Sequence, residues 1–325
     1  MADVLLLSAP DVRAVFDLPA AIESQRAAFA ALGTGEARLA PRALLDGPDG
    51  GVAFGYLSRL PGAGAVAKFG SVTPGNAARG LPTVAALVIV QDPVDGRPVA
   101  IIEGEAVTTP RTAAASAVAA DHLAIPDASR LAVVGCGVQG RAHVRAMLRV
   151  RPIGRVTVAC RNSETCGAAA ELAAELELPV EGAGDVRAAV ADADIVVTAT
   201  TSAEPVVLGE WLPPGCTVLS VGSFAPDRCE VDGAVLARAA TVVVDDVATA
   251  LRQAGPIVAG VRDGRLSEDR IRPLGPIVAG LAPGRAAPGD VVFYNSVGLG
   301  VQDAAAAAVI VDRARAAGAG RLVAL

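Results

Sequence analysis

Apolar and polar positions change rhythm along this chain, and the changes divide it. Asp11-Val-Arg-Ala-Val-Phe16 reads as a short capped helix, and Leu18–Leu32 carries apolar residues at helical spacing (Ile22, Ala27, Phe29, Ala30) until Gly33 and Gly35 end it. From Arg38 to Ala100 the pattern shortens to β-rich runs over Gly51–Leu57, Ala65–Phe69, Thr83–Gln91 and Arg97–Glu103. Turns of Gly, Pro and Asp, including Asp95-Gly96, separate them, and an antiparallel sheet is expected. The alanine-rich stretch Thr108–Leu123 predicts a helix that connects through Pro126 to a second region.

That region opens with Arg130–His143, RLAVVGCGVQGRAH, where the apolar run Leu131–Val134 feeds straight into Gly135-Cys136-Gly137-Val138-Gln139-Gly140. The order is strand, glycine turn, helix. A glycine at 135 permits a sharp turn, one at 137 lets backbone approach a pyrophosphate, and one at 140 lets the helix lie close to the strand. Beyond it strands and helices alternate: strand Arg155–Ala159, helices Glu164–Leu176 and Asp185–Ala191, then strands Ile195–Thr200, Thr217–Val221 and Thr241–Asp245. Such alternation predicts an α/β fold with a doubly wound, Rossmann-type parallel sheet. A last alanine-rich helix follows Gly300 to about Ala317. The near copies Pro256-Ile-Val-Ala-Gly and Pro276-Ile-Val-Ala-Gly carry no assigned role.

Composition narrows the function. A chain of 325 residues that is 52% hydrophobic has material for two packed domains, and its longest apolar runs, Val84–Val90 and Ala304–Val311, are too short for a bilayer. The start, MADVLLLSAPDVR, lacks a basic segment and does not resemble a secretory signal, so a cytoplasmic protein is expected. Five cysteines without a CxxC pair and two histidines indicate neither disulfides nor a metal site, and a net charge of -6 with dispersed arginines gives no footprint for nucleic acid. A small molecule is the expected partner.

The turn after the second strand, Cys160-Arg161-Asn162-Ser163, has no acid to accept ribose hydroxyls. Arg161 can pair with a 2′-phosphate, with hydrogen bonds from Asn162 and Ser163, which favours NADP(H) over NAD(H) as cofactor. Lys68 ends an apolar strand in VAKFGSVTPGN, and Arg111 opens the helix of TTPRTAAAS, where a cation opposes the helix dipole and calls for an anionic partner. His122, His143 and Cys136 read as packing residues.

The ordered set Lys68, Pro74-Gly-Asn76, Gly80-Leu-Pro-Thr83, Arg111-Thr112-Ala-Ala, Gly135-x-Gly-x-Gln139, Val221-Gly222-Ser223 and Ser296-Val297-Gly298 resembles the ornithine cyclodeaminase/mu-crystallin family across essentially the whole chain. The resemblance implies a homodimer in which an NAD(P)-binding domain, residues 121–299, is inserted into a substrate-binding and dimerisation domain built from 1–120 and 300–325. It also implies chemistry at a carbon–nitrogen bond beside a carboxylate. Substrate ligands would fall on Arg42, Lys68 and Arg111, with Phe224 and Val297 lining the site. Cofactor contacts would fall on Thr83, Arg111, Thr112, Gly135, Gly137, Val138, Gln139, Gly140, Thr200, Val221, Ser223 and Ser296.

Cyclodeaminases of the family carry a catalytic aspartate two residues after the glycine of the Val-Gly motif. Here Phe224 stands there, with Asp227 three residues on as a partial substitute. Phe cannot exchange protons. Together with Arg161, this departure points to NADPH-dependent reduction of a cyclic ketimine of the 1-pyrroline-2-carboxylate or 1-piperideine-2-carboxylate type, with Lys68, Arg111 and Asp227 as candidate catalytic groups. The alternatives are an NAD-dependent ornithine cyclodeaminase or amino-acid dehydrogenase, and a mu-crystallin-like NADP-dependent binding protein.

Overall fold

The structure is a computed structural model that describes residues 3–160 and 166–324. Its strands are β1 (Asp3–Leu7), β2 (Arg38–Leu39), β3 (Ala43–Asp46), β4 (Val52–Arg59), β5 (Ala65–Val72), β6 (Val84–Gln91), β7 (Pro98–Glu103), β8 (Arg130–Val134), β9 (Arg155–Ala159), β10 (Val180–Ala183), β11 (Ile195–Thr198), β12 (Thr217–Ser220), β13 (Ala239–Val244), β14 (Ile271–Pro273), β15 (Val291–Asn295) and β16 (Arg321–Ala324). The chain divides into two compact units, Met1–Ala115 with Leu299–Leu325, and Ser116–Gly298.

In the first unit β4, β5, β6 and β7 pair antiparallel in sequence order, as their alternating pattern predicts. Two strands at the chain ends extend this sheet beyond what the sequence announces. β1 adds parallel to β7, and β16 adds antiparallel to β1. Neither is long, and the residues they pair with lie far away in the chain, so no local pattern marks them. The inner face of β5 turns Val66, Lys68 and Gly70 inward while Phe69 points out. Helices Leu18–Gly33 and Gly300–Ala317 pack in this unit, and the latter lies on β4 and β5. Runs of alanine let that helix be buried almost all round over its first half.

The helix expected from Thr108 begins at Gly104. Glu103 caps it, accepting hydrogen bonds from the Glu105 and Ala106 amides at 2.9 and 2.8 Å, and Pro110 sits inside rather than at the start. Arg111 is therefore about two turns in, and its first-turn reading is corrected. Its anionic partner is a side chain described below.

In the second unit the strand order is β10-β9-β8-β11-β12-β15-β13-β14, and every pairing is parallel. This is a doubly wound sheet of Rossmann type. Its order reverses between β8 and β11, where ligands bind in such folds, beyond the carboxyl ends of the strands. The chain leaves β8 at Gly135 with φ +102°, and a Cβ on Gly140 would lie 1.8 Å from the Gly135 carbonyl oxygen. Only glycine fits there. The sequence pattern did not reveal β10, β14 and β15, nor the short helices between 233 and 278. Val291–Asn295 is a fully buried five-residue run, which periodicity alone cannot assign. The Pro256 and Pro276 copies lie in helices Gly255–Arg262 and Leu274–Val278.

His143 packs inside this unit. Its Nδ1 is 2.7 Å from the Gln139 carbonyl and its Nε2 2.9 Å from the Ser116 hydroxyl. The carbonyl can only accept, so Nδ1 carries the proton and Nε2 accepts from Ser116. Burial pushes its pKa down to about 4 from 6.5. The unfolded chain therefore takes up the proton first as pH falls, and stability drops through the window between those values. About 2 kcal/mol should be lost between pH 7 and pH 5 from this group. Denaturation curves at both pH values should show the loss, and His143→Gln should flatten it.

Candidate active site

The first unit gathers three charges that the sequence scatters. Lys68 on β5 is 3% exposed, Arg111 5% and Asp303, in the last helix, 0%. Lys68 Nζ donates to Asp303 Oδ1 at 2.8 Å and to Thr108 Oγ1 at 2.6 Å. Arg111 Nε donates to the same Oδ1 at 3.2 Å, and its Nη1 donates at 3.2 Å to Gln302 Oε1, which also accepts from the Leu299 amide. One carboxylate thus serves two cations, and the trio carries a single surplus positive charge. Asp303 Oδ2 is buried without a hydrogen bond among the described residues. Arg42 is half-buried, with its guanidinium over the Tyr56 ring at 4.5 Å from the centroid, and Tyr56 pairs with Lys68 across β4 and β5.

These neighbours set the protonation of the site. Burial pushes Lys68 below the usual lysine value; Asp303 opposes that shift, while Arg111 and Arg42 reinforce it. Burial pushes Asp303 up, but Arg111 and Lys68 outweigh it and hold the carboxyl below its ordinary range. Tyr56 is raised, by burial first. Lysine poised in this way can release a proton nearer neutrality than a solvated one.

Sequence reading missed Asp303, Thr108 and Tyr56. A signal existed for the first: an acid between Val301-Gln302 and five alanines, in a helix too apolar to leave a face for it in water. A buried carboxylate there had to be paired. Nothing local said with what.

In the second unit Gly137 lies open, with nothing within 4 Å of where its Cβ would be, and Val138 beside it is exposed. Gln139 Oε1 is buried with no hydrogen-bond partner among the described residues. An open glycine turn at a helix start fits a dinucleotide pyrophosphate, while the Gln139 oxygen, an acceptor, suits a donor such as a hydroxyl rather than a phosphate. Arg161, Asn162 and Ser163 lie outside the described residues.

Two buried carboxylates shape the loops beyond the strands. Glu230 accepts from Thr198 Oγ1 at 2.8 Å, Ser220 Oγ at 2.9 Å, the Gly222 amide at 2.7 Å, and the Thr200 amide and hydroxyl at 2.6 and 2.9 Å. It ties the ends of β11 and β12 together. Ser223 is fully buried, its hydroxyl spent on Ser220 and the Glu230 amide, and Val221 is buried beside it. Asp245 accepts from the Tyr294 hydroxyl, from Ser296 Oγ at 3.2 Å, and from the Val297 and Gly298 amides at 2.9 and 2.8 Å. Burial raises its pKa and those hydrogen bonds oppose the shift. Phe224 is exposed under Arg228, whose guanidinium stands 4.9 Å from its ring centroid, and Asp227 is exposed. In the first unit Thr83 is exposed, while the Thr112 hydroxyl is bonded to the Thr108 carbonyl at 2.7 Å.

A doubly wound sheet with a dinucleotide-type glycine turn, joined to a unit holding a buried cationic site, defines an NAD(P)-dependent oxidoreductase. The model of the ornithine cyclodeaminase/mu-crystallin family matches residues 3–318, and the chain belongs to that family. It is 38% identical over 226 residues to a Delta(1)-pyrroline-2-carboxylate reductase of Paracoccus denitrificans, covering 69% of this chain and 71% of the relative. The Thermococcus litoralis Delta(1)-pyrroline-2-carboxylate reductase, solved with NADH and L-proline, superposes with a TM-score of 0.94 at 32% identity, covering 98% of this chain and all of that one. An archaeal alanine dehydrogenase dimer with bound NAD superposes at 0.93 and 29% identity over the full length of both. Among the described residues no helix is long and apolar enough to cross a membrane.

Proposed function

We propose that this protein reduces a cyclic α-imino acid of the 1-pyrroline-2-carboxylate or 1-piperideine-2-carboxylate type to the cyclic amino acid, with NADPH. The observation that carries the reading is the surplus positive charge around Asp303. A buried charge without a counterion is costly, and a substrate carboxylate supplies the missing one. Arg111, held at Nε and Nη1 by fixed acceptors, keeps its remaining N–H groups for that carboxylate, and Arg42 is the second arm of the clamp. A nicotinamide cofactor, when bound, would supply the hydride that the carbon bearing the carboxylate takes up. Lys68 provides the proton for the ring nitrogen, since Phe224 has none to give and Asp227 faces solvent. Both named reductases of pyrroline carboxylate in the family support the substrate class.

Loss of nicotinamide absorbance on mixing NADPH with each cyclic imine tests the reading. Ammonia release from L-ornithine with a trace of NAD⁺, and no imine reduction, would overturn it in favour of cyclodeamination. The cofactor preference rests on Arg161 and the missing acid at that turn. Arg161→Ala should weaken NADPH by about 1.5–3 kcal/mol and leave NADH nearly unchanged, as titrations of both would read. Equal affinity of the parent for both cofactors would end that part.

The outer face of the first sheet supports a homodimer. Phe69 and Leu87 are direct cross-strand partners, 63% and 48% exposed, and Leu57 and Leu45 are exposed on the same face. An apolar patch of this size on a sheet calls for a cover, and a second copy presents the same patch. Phe69→Asp with Leu87→Asp should give monomers in sedimentation experiments where the parent is a dimer.

A further inference from the structure

Lys68 has a fixed set of neighbours, and their hydrogen-bonding capacity is asymmetric. Thr108 has one hydroxyl proton, and it is committed to the Gly104 carbonyl at 2.6 Å. Toward Lys68, 2.6 Å away, the Thr108 oxygen can therefore only accept. Ionised Asp303, 2.8 Å away, can also only accept. An ammonium has three N–H bonds, and two of them end on these acceptors. A neutral amine has two N–H bonds and one lone pair. Because neither acceptor can donate to that lone pair, both N–H bonds stay where they were and the lone pair takes the third vertex.

We propose that Thr108 is a positioning residue for imine reduction: with Asp303 it confines the exchangeable proton of Lys68 to one vertex, so that Nζ delivers it without rotating. The proposal rests on the reading of Lys68 as proton donor. In the step a C–H bond forms with hydride from the reduced nicotinamide, which is oxidised by two electrons. The π pair of C=N moves onto nitrogen, which forms an N–H bond with the proton leaving Nζ. Lys68 is left as the neutral amine and is reprotonated from water after product leaves. The charged or titratable groups facing Lys68 are Asp303 from the last helix, Arg111 from the helix that carries Thr108, Arg42 from the loop before β3, and Tyr56 from β4. Thr108 has no charge, so its removal changes direction more than electrostatics.

The test is steady-state kinetics of the full-length enzyme on 1-pyrroline-2-carboxylate with NADPH, in H₂O and D₂O. Thr108→Val keeps the shape of the side chain and removes the acceptor. It should lower kcat about 10-fold or more with KM within about 3-fold of the parent, and raise the solvent isotope effect on kcat as proton delivery becomes slower. Thr108→Ser should recover most of kcat and the parental isotope effect. If Thr108→Val does not fold by circular dichroism, Thr108→Ala takes its place with the same expectation. Parental kcat and isotope effect in the acceptor-less variant, or equal impairment of the serine variant, would overturn the proposal while leaving the reductase reading intact. A parent that reduces no cyclic imine would overturn both.

Discussion

Asp303→Asn is expected to destabilise the protein by about 3–5 kcal/mol in urea denaturation and to strip it of reductase activity near neutral pH. Asp303 is completely buried and its Oδ1 is the shared acceptor of Lys68 and Arg111. An amide of nearly the same shape keeps the volume but removes the charge, leaving two cations in a dry interior with nothing to balance them. Lys68 then loses the influence that holds its proton, while burial and Arg111 still favour its loss. The basic limb of the pH–rate profile should accordingly move to lower pH. A variant with parental stability and an unmoved profile would show that Asp303 is a bystander.

On the proposed function, Lys68→Ala and Arg111→Ala should each cut imine reduction by at least ~10²-fold. The two losses should differ in kind. If Arg111 clamps the substrate carboxylate as proposed, its removal should raise KM together with a fall in kcat, because the imine carbon would no longer be held against the hydride source. Removing Lys68 should lower kcat chiefly, since the proton has to come from water. Both variants also relieve the surplus charge around Asp303, so folding should survive; circular dichroism checks this before the kinetics are read. If Lys68→Ala reduced imines at near-parental rates, the proton donor would have to be sought at Asp227 or in a bound water.

The parts of this protein that the sequence makes legible are those with short-range causes. Glycines at 135, 137 and 140 declare a strand, turn and helix because their roles are settled within six residues, and Gly140 is required by a carbonyl only five positions away. The alternation over β4 to β7 declares an antiparallel sheet because each strand pairs with its neighbour in sequence, though β5 and β6 are joined by a longer segment that includes the turn of helix Pro74–Arg79. Lys68 is marked in the sequence by apolar neighbours on both sides, whereas Arg111 is marked only by a helix start that the structure moves back to Gly104.

What the partner is could not be read in the same way. Asp303 lies 235 residues from Lys68 and 192 from Arg111. Its pairing exists only because the chain returns after the parallel sheet to lay its last helix on β4 and β5. Glu230 reaches strand ends up to 32 residues away, and Asp245 holds the Val297 and Gly298 amides more than 50 residues on. In each case one carboxylate stabilises several donors that no spacing rule brings together. The sequence by itself determined the fold class, the glycine turn and the cations, because local sterics and the cost of burying charge act wherever the residue sits. Only the tertiary structure decided which carboxylate answers which cation and which hydroxyl fixes the lysine, because those choices follow from chain topology rather than from neighbours in sequence.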